Sequence, residues 1–338
     1  MSNKTEHILV IRLSALGDVA MAQPVLKVLS DQYPHLKITV LTKKGFASIF
    51  KDLERLQVVE GNFKNEHKGV LGLYRLSKKL KTLQLDAIAD LHNVLRSNIL
   101  KIFLNVKTKQ IDKGRTEKRA LINGSQFMPL KTTHQRYADV FNILGYPVNL
   151  ANWTPTEKAS LSLKLKHYCS SSNQKLIGIA PFAAHKGKMY PLALMKEVIR
   201  DLVKDYKVLL FGGGNHEIEL LSQIENEFNN AISVAGKLSL EEELQIISNL
   251  SLMLSMDSGN AHLAAIYGIK TVTIWGVTHP YAGFAPFNQP SEYMLLPDRK
   301  EFPAIPTSVY GNKYPKDYEL AAASIDPKLV IEKIRALV

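Results

Sequence analysis

Along the first half of the chain, short runs of apolar residues alternate with longer stretches in which apolar positions recur at helical spacing. The pattern predicts strands at 8–12, 37–42, 56–59, 86–91 and 107–111, and helices at 19–32, 70–83, 94–105 and 134–144. Strands apolar at successive positions are buried on both faces, as in a parallel sheet covered by helices. Pro24 falls inside the first helical pattern and removes one N–H, so that helix is expected to kink or restart there.

The rhythm breaks at 145–160, where Pro147, Pro155 and several Asn residues read as a linker. It then resumes with a strand at 175–182 and a helix at 191–203. Residues 207–224 read as strand, glycine turn and helix, and residues 251–268 repeat that grammar. A strand at 270–276 and a terminal helix at 326–338 follow, the latter with Asp326 as N-cap and Pro327 at its first position. The expected fold is α/β, with two doubly wound domains in tandem whose ligands sit beyond the strand C-termini.

Composition narrows the class. A chain of 338 residues, 46% hydrophobic and 22% charged, is typical of a soluble globular protein large enough for two domains. No apolar stretch is long enough for a membrane span. The run at 8–11 is too short for a signal peptide, and Arg12 interrupts it. The single cysteine, Cys169, cannot form an intrachain disulfide and suits a cytoplasmic setting. No Cys/His spacing suggests zinc, and no metal site is expected.

The net charge of +12 is unevenly spread. Residues 1–150 hold 24 basic against 12 acidic side chains, whereas residues 151–338 hold 19 of each. Runs at 74–81 and 107–119 are the densest. Any one run could be a solvated face, but the asymmetry points to an anionic partner for the first half: nucleic acid, an acidic membrane surface or a phosphorylated substrate.

Several junctions carry candidate chemistry. In "SMDSGNAHLAA" (255–265), Asp257, Ser258 and Gly259 stand where a strand hands over to a helix. The free N–H groups there suit a diphosphate, although Asp257 or Ser258 could equally serve only as a cap. "FGGGNHE" (211–217) is a second glycine turn, containing Gly213 and ending in Glu217. Glu217 either compensates the helix dipole or binds ribose hydroxyls. The missing third glycine weakens a dinucleotide reading. "HKGKMYP" (185–191) brings His185, Lys186 and Lys188 to a ligand-facing edge, where each could also simply face solvent. Asp18, at the first strand-to-helix turn, is either a dipole partner or a functional carboxylate. His92 and Arg96 lie just past another strand, and His262 lies inside a helix; both histidines also have plain structural readings.

Taken together and in order, these stretches resemble glycosyltransferase family 9, the lipopolysaccharide heptosyltransferases. "LSALGDVAMAQP" resembles that family's strand, S-x-x-G-D, helix opening, and "KMYP" its K-x-W-P. "GGGNHE" matches its glycine turn ending in an acid, and "SMDSGNAHLAAIYG" with "TVTIWGVTHP" resembles its D-S/T-G-x-x-H-L-A-A and G-x-T-x-P block. The resemblance implies a GT-B fold, two Rossmann-like domains facing a central cleft. It divides the chain into an acceptor domain (1–155), a nucleotide-sugar domain (156–325) and a C-terminal helix (326–338) expected to return toward the first domain.

It also implies an inverting, metal-independent transferase without a cofactor. The donor would be ADP-L-glycero-D-manno-heptose and the acceptor the lipopolysaccharide inner core, either lipid A–Kdo or a heptosylated core. Asp18 would be the catalytic base. Lys188, Asp257, Ser258, Gly259, His262, Gly213 and Glu217 would bind the donor, and Arg96 and His92 the acceptor. The partners would be a soluble donor, an anionic lipid-linked acceptor and the cytoplasmic face of the inner membrane, with no nucleic acid. The sequence departs from the family pattern at Tyr190, where tryptophan is usual, at Met189, at Ala183 and Ala184, and at His279. The Pro- and aromatic-rich excursion at 279–315 is expected near the donor. Competing readings are another GT-B transferase or a nucleotide-sugar epimerase, a nucleic-acid-binding protein, and an NAD dehydrogenase at 211–217. The scattered Lys and Arg lack the interleaved aromatics of a nucleic-acid module.

Overall fold

Every residue of the first strand is buried, as a strand covered on both sides requires. In the computed structural model, which describes residues 6–169 and 174–338, this strand is β1 (His7–Ile11). After it come α1 (Leu16–Gln32), β2 (Lys37–Lys43), β3 (Leu56–Gly61), α2 (Gly69–Lys81), β4 (Ala87–Asp90), α3 (Leu95–Leu104) and β5 (Lys107–Gln110). Then follow α4 (Arg115–Ile122), α5 (Thr133–Leu144), α6 (Leu163–Cys169), β6 (Leu176–Ala180), α7 (Leu192–Leu202), β7 (Lys207–Leu210) and α8 (Asn215–Glu227). The chain closes with β8 (Ala231–Ser233), α9 (Leu240–Ile247), β9 (Leu252–Met256), α10 (Gly259–Ile266), β10 (Lys270–Ile274), β11 (Met294–Leu295) and α11 (Pro327–Leu337). Among the described residues no helix is long and apolar enough to cross a membrane.

Contacts divide the chain into two units, one of residues 1–113 with 133–154 and the other of residues 114–132 with 155–338. The first unit holds a parallel sheet in the order β3-β2-β1-β4-β5. Leu9 and Ile11 of β1 pack with Leu73, Leu76 and Leu80 of α2 and Leu100 and Leu104 of α3. By strand alternation Ile8 and Val10 point to the opposite face, and α1 packs there with α5. The second unit holds a parallel sheet in the order β11-β10-β9-β6-β7-β8. Strands β6 and β9 at its centre are buried throughout.

Strand order reverses between β1 and β4 in the first sheet and between β6 and β9 in the second. Connections leaving neighbouring strands on opposite faces open a crevice at such a switch point, beyond the strand C-termini. Those four ends lead to Asp18, His92, Lys188 and Asp257 respectively.

Two expectations need correction. Helix α1 runs unbroken through Pro24, which is buried within it, so packing offsets the missing hydrogen bond. Residues 114–132 precede the linker but group with the second unit. Phe127 explains this: its ring centroid lies 5.1 Å from that of His279 and 5.0 Å from that of Tyr281, with the Arg299 guanidinium 3.5 Å above it. Lys118 stacks over Phe284 at 4.2 Å, and Leu130 N–H donates to the Tyr281 carbonyl at 2.9 Å. The charge excess shifts accordingly, to 20 basic against 11 acidic residues in the first unit and 23 against 20 in the second. Helix α11 packs on α7, β9 and β10 of its own unit, with Val330 and Ile334 fully buried in that core. Burying each such side chain contributes roughly 1.5–3 kcal/mol, which holds the helix there.

Candidate active site

In the first unit the turn after β1 brings Asp18 into the first turn of α1, where its Oδ2 accepts from Ala15 N–H at 3.2 Å. The same oxygen lies 2.6 Å from Arg12 Nη2. The guanidinium is buried and donates from Nη1 to the Leu91 carbonyl at 2.8 Å. The fully buried Tyr137 donates its hydroxyl to the Asp18 carbonyl at 3.2 Å and lies under Arg12, 5.8 Å from ring centroid to guanidinium. Burial pushes the Tyr137 phenol well above its ordinary range, so it stays protonated and acts as a donor.

Next to this pair, β4 ends in Asp90, which is fully buried. Its Oδ1 accepts from the N–H groups of His92 at 3.0 Å and Asn93 at 2.8 Å, and its Oδ2 meets Lys101 at 2.7 Å. His92 is thereby set against the turn after β1, its Nδ1 accepting from Leu13 N–H at 3.4 Å. Burial, then the Arg12 charge, pushes His92 down to about 4, so it is neutral at physiological pH. A carboxylate and a neutral imidazole thus share the β1–β4 switch point.

Arg96 lines a cavity of about 430 Å³ with Lys43, Lys44, Lys64, Phe63 and Asn62, and the wall of that cavity includes Leu13 and Ser14 of the turn that leads from β1 to Asp18. Its guanidinium stacks 5.8 Å from the Phe63 ring centroid. Lys43 ends β2 and Lys44 follows it, whereas Asn62, Phe63 and Lys64 follow β3. The end of β2, the loop after β3 and the first turn of α3 therefore supply the cations, and no spacing in the sequence announces them.

In the second unit Lys188 Nζ lies 2.8 Å from Asp257 Oδ2, which also accepts from Thr278 Oγ1 at 2.8 Å. The turns after β6, β9 and β10 supply these three residues. Ser258 is the N-cap of α10 yet makes no side-chain cap bond; its Oγ instead pairs with Ser255 Oγ at 3.0 Å. Capping therefore does not account for Asp257 or Ser258. Gly259 opens α10, and His262 is buried one turn later. At the other glycine turn, Gly213 N–H donates to Glu217 Oε2 at 2.7 Å, which ties the carboxylate to the turn that precedes α8.

The excursion at 279–315 returns to this cluster. Thr307 N–H donates to the Val277 carbonyl at 2.9 Å, and Gly311 N–H to Ser308 Oγ at 3.1 Å. Gly311 then crosses the Lys188 stem so closely that an added Cβ would stand 2.4 Å from Lys188 Cγ. Its φ of +74° also favours glycine. The strap fixes the lysine beside Asp257. In the sequence Thr278 stands within "GVTHP" with no spacing that marks it, and Arg12 is only a charge that follows the apolar run of β1. Burial and the nearby Arg299 push His279 down to about 4, and its ring packs on Phe127 and Tyr281. Among the described residues no group of three or more His, Cys, Asp or Glu is arranged to hold a metal ion.

Comparisons of the sequence with known proteins point to one family. The sequence model of glycosyltransferase family 9 (heptosyltransferase) matches residues 73–306. The chain is 25% identical to the lipopolysaccharide core heptosyltransferase OpsX of Haemophilus influenzae, over 82% of this chain and 81% of that protein. Its fold is similar to that of a glycosyl transferase family 9 protein from Veillonella parvula, with a TM-score of 0.77 and 18% identity over 100% of this chain and 98% of that one. It is also similar to the E. coli ADP-heptose lps heptosyltransferase II, with a TM-score of 0.69 and 19% identity over 98% of both chains.

Proposed function

The chain belongs to glycosyltransferase family 9, the heptosyltransferases, and from that premise we propose that it moves a heptose from ADP-L-glycero-D-manno-heptose to the lipopolysaccharide inner core. Its two parallel α/β units are those of a GT-B glycosyltransferase. The observation that carries the proposal is the Lys188–Asp257–Thr278 cluster at the head of α10. A cation and unsatisfied helix N–H groups at a switch point suit the diphosphate of a nucleotide sugar. The names of the relatives supply the donor and acceptor chemistry.

In the proposed reaction the acceptor hydroxyl gives its proton to Asp18 as its oxygen attacks the anomeric carbon. The bond from that carbon to the diphosphate breaks, and ADP departs with the electron pair. Attack opposite the leaving group inverts the anomeric centre, and one base suffices. Both contacts on the Asp18 side chain fall on Oδ2, so Oδ1 takes the proton. Lys188 spends one of its three N–H donors on Asp257 and directs the others to the diphosphate as negative charge grows. Glu217 receives the ribose hydroxyls, and Gly213 serves by positioning it. His262 and Gly259 complete the donor side.

The basic cavity around Lys43, Lys44, Lys64 and Arg96 suits the acid groups of an inner-core acceptor. His92 stays neutral beside Asp18 and can accept or donate a hydrogen bond to a sugar hydroxyl. The reading puts the enzyme in the cytoplasm, where its soluble donor is found, and routes no step through a metal ion or cofactor. The test is incubation with ADP-heptose and heptose-deficient lipopolysaccharide. A gain of one heptose mass on the acceptor supports the proposal. ADP binding without any gain overturns the donor or the acceptor assignment.

A further inference from the structure

Helices α2 and α3 pack side by side over one face of the first sheet and leave an unusual outer surface. On α2, Val70 is 56% and Leu71 73% exposed; on α3, Leu95 is 76% and Ile102 75% exposed. Tyr74 of α2 meets Phe103 of α3 edge-on, with ring centroids 5.4 Å apart, which joins the two surfaces. A single exposed leucine is ordinary, whereas a grouped set on adjoining helices marks a binding surface.

The charges on these helices are all of one sign. Neither α2 nor α3 contains an acidic residue. Arg75, Lys78, Lys79 and Lys81 are all exposed on α2, and Lys78 stacks 4.9 Å from the Tyr74 ring centroid. At roughly 100° per residue, Val70, Tyr74, Lys78 and Lys81 line the half of α2 opposite the buried Leu73, Leu76 and Leu80.

We propose that the outer face of α2 and α3 docks on an anionic lipid bilayer. The leucines enter the headgroup–acyl boundary while the lysines and Arg75 meet lipid phosphates. A second copy of the chain fits poorly, because a two-fold contact through this face would set cation against cation. Nucleic acid would leave the aliphatic side chains without a role, and Tyr74 alone is no stacking platform.

Rigid packing ties this face to the basic cavity. Asn62 to Asn65 line the cavity, and the loop they begin leads through Lys68 directly into α2. His67 Nδ1 accepts from Asn62 N–H at 2.9 Å, and His67 N–H donates to the Asn62 carbonyl at 2.9 Å. Gly72 seats α2 on this loop, since an added Cβ would lie 2.4 Å from the His67 carbonyl carbon. Arg96 of the cavity directly follows the exposed Leu95. A docked bilayer would therefore hold a lipid-linked acceptor at the cavity mouth, a consequence that rests on the acceptor assignment above.

The test is flotation of the whole protein with vesicles of phosphatidylglycerol and phosphatidylethanolamine, and with vesicles of phosphatidylcholine, all without acceptor. Binding to the anionic vesicles should be at least about tenfold tighter and should weaken as salt rises. Leu71→Gln with Leu95→Gln and Ile102→Gln should weaken it about tenfold or more, as should Lys78→Gln with Lys79→Gln and Lys81→Gln. Stabilisation of both variants by ADP should match that of the parent, which shows they are folded. Three results would overturn the proposal: no preference for anionic vesicles, vesicle binding indifferent to the apolar variant, or salt-dependent binding of a DNA duplex in place of vesicles. Vesicle binding without heptose transfer would refute the proposed reaction and leave the docking surface standing.

Discussion

Arg12 Nη2 and Asp18 Oδ2 stand 2.6 Å apart, with the guanidinium buried and the carboxylate about one-third exposed. The strand end thus supplies a fixed cation and the next turn a carboxylate that can still reach a substrate. Arg12 is held in turn by the Leu91 carbonyl and by stacking on Tyr137. Orientation, rather than mere proximity to a helix end, sets this aspartate apart from an ordinary dipole partner.

Arg12→Gln should therefore lower kcat at least about tenfold while the KM for donor changes little, because the base loses its orientation and the donor cluster lies in the other unit. Steady-state kinetics separate the two parameters. An unchanged kcat would mean that Arg12 serves the fold alone.

Lys188→Ala should weaken ADP binding by about tenfold or more, since a charge-assisted contact contributes roughly 1.5–3 kcal/mol. It also leaves Asp257, only 6% exposed, without its cation. Calorimetric titration with ADP reads the effect. Equal affinity in parent and variant would show that the lysine does not reach the diphosphate.

Gly311→Ala should reproduce part of the Lys188→Ala defect without touching nucleotide. The added Cβ stands 2.4 Å from Lys188 Cγ and is strained by the local φ of +74°, so either the strap or the lysine must move. A rise in the ADP dissociation constant of about threefold or more, with melting within a few degrees of the parent, is expected. Normal ADP affinity would show that the strap is dispensable for placing Lys188.

His279 gives the second unit a dependence on pH. Its folded pKa is about 4 because of burial and Arg299, against 6.5 when unfolded. Between those values the unfolded chain binds the proton that the folded chain refuses. Its contribution to stability is thus full above pH 6.5 and falls as pH drops toward 4. His279→Gln keeps an acceptor for Tyr281 N–H and should flatten the loss of melting temperature between pH 6.5 and 4 relative to the parent. Parallel melting curves for the two proteins would contradict this.

The alternation of strands and helices is readable because β1, β6 and β9 are buried throughout and carry only His7 and Ser255 as polar residues. Strands β8 and β11, of three and two residues, are too short for any periodicity to show. Helix α9 went unread despite its signal, a reciprocal bond pair between Ser239 and Glu242. The placement of residues 114–132 depends on Phe127 meeting Arg299, which is a tertiary fact. The same division holds for the site. Asp18, Lys188 and Asp257 stand in local motifs at strand ends, so the sequence brings them to notice. Lys43, Lys64 and Arg96 converge from the end of β2, the loop after β3 and the first turn of α3, and Gly311 reaches Lys188 from far along the chain.

The central claim is heptose transfer with Asp18 as the base. Its most direct test is transfer from ADP-heptose to lipid A–Kdo, read by acceptor mass in the presence of EDTA, with the parent and Asp18→Asn side by side. The account predicts a one-heptose gain with the parent and a rate lower by about 10²–10⁴ with the variant, while ADP stabilises both equally. Near-parental transfer by Asp18→Asn, or loss of parental transfer on chelation, would contradict it.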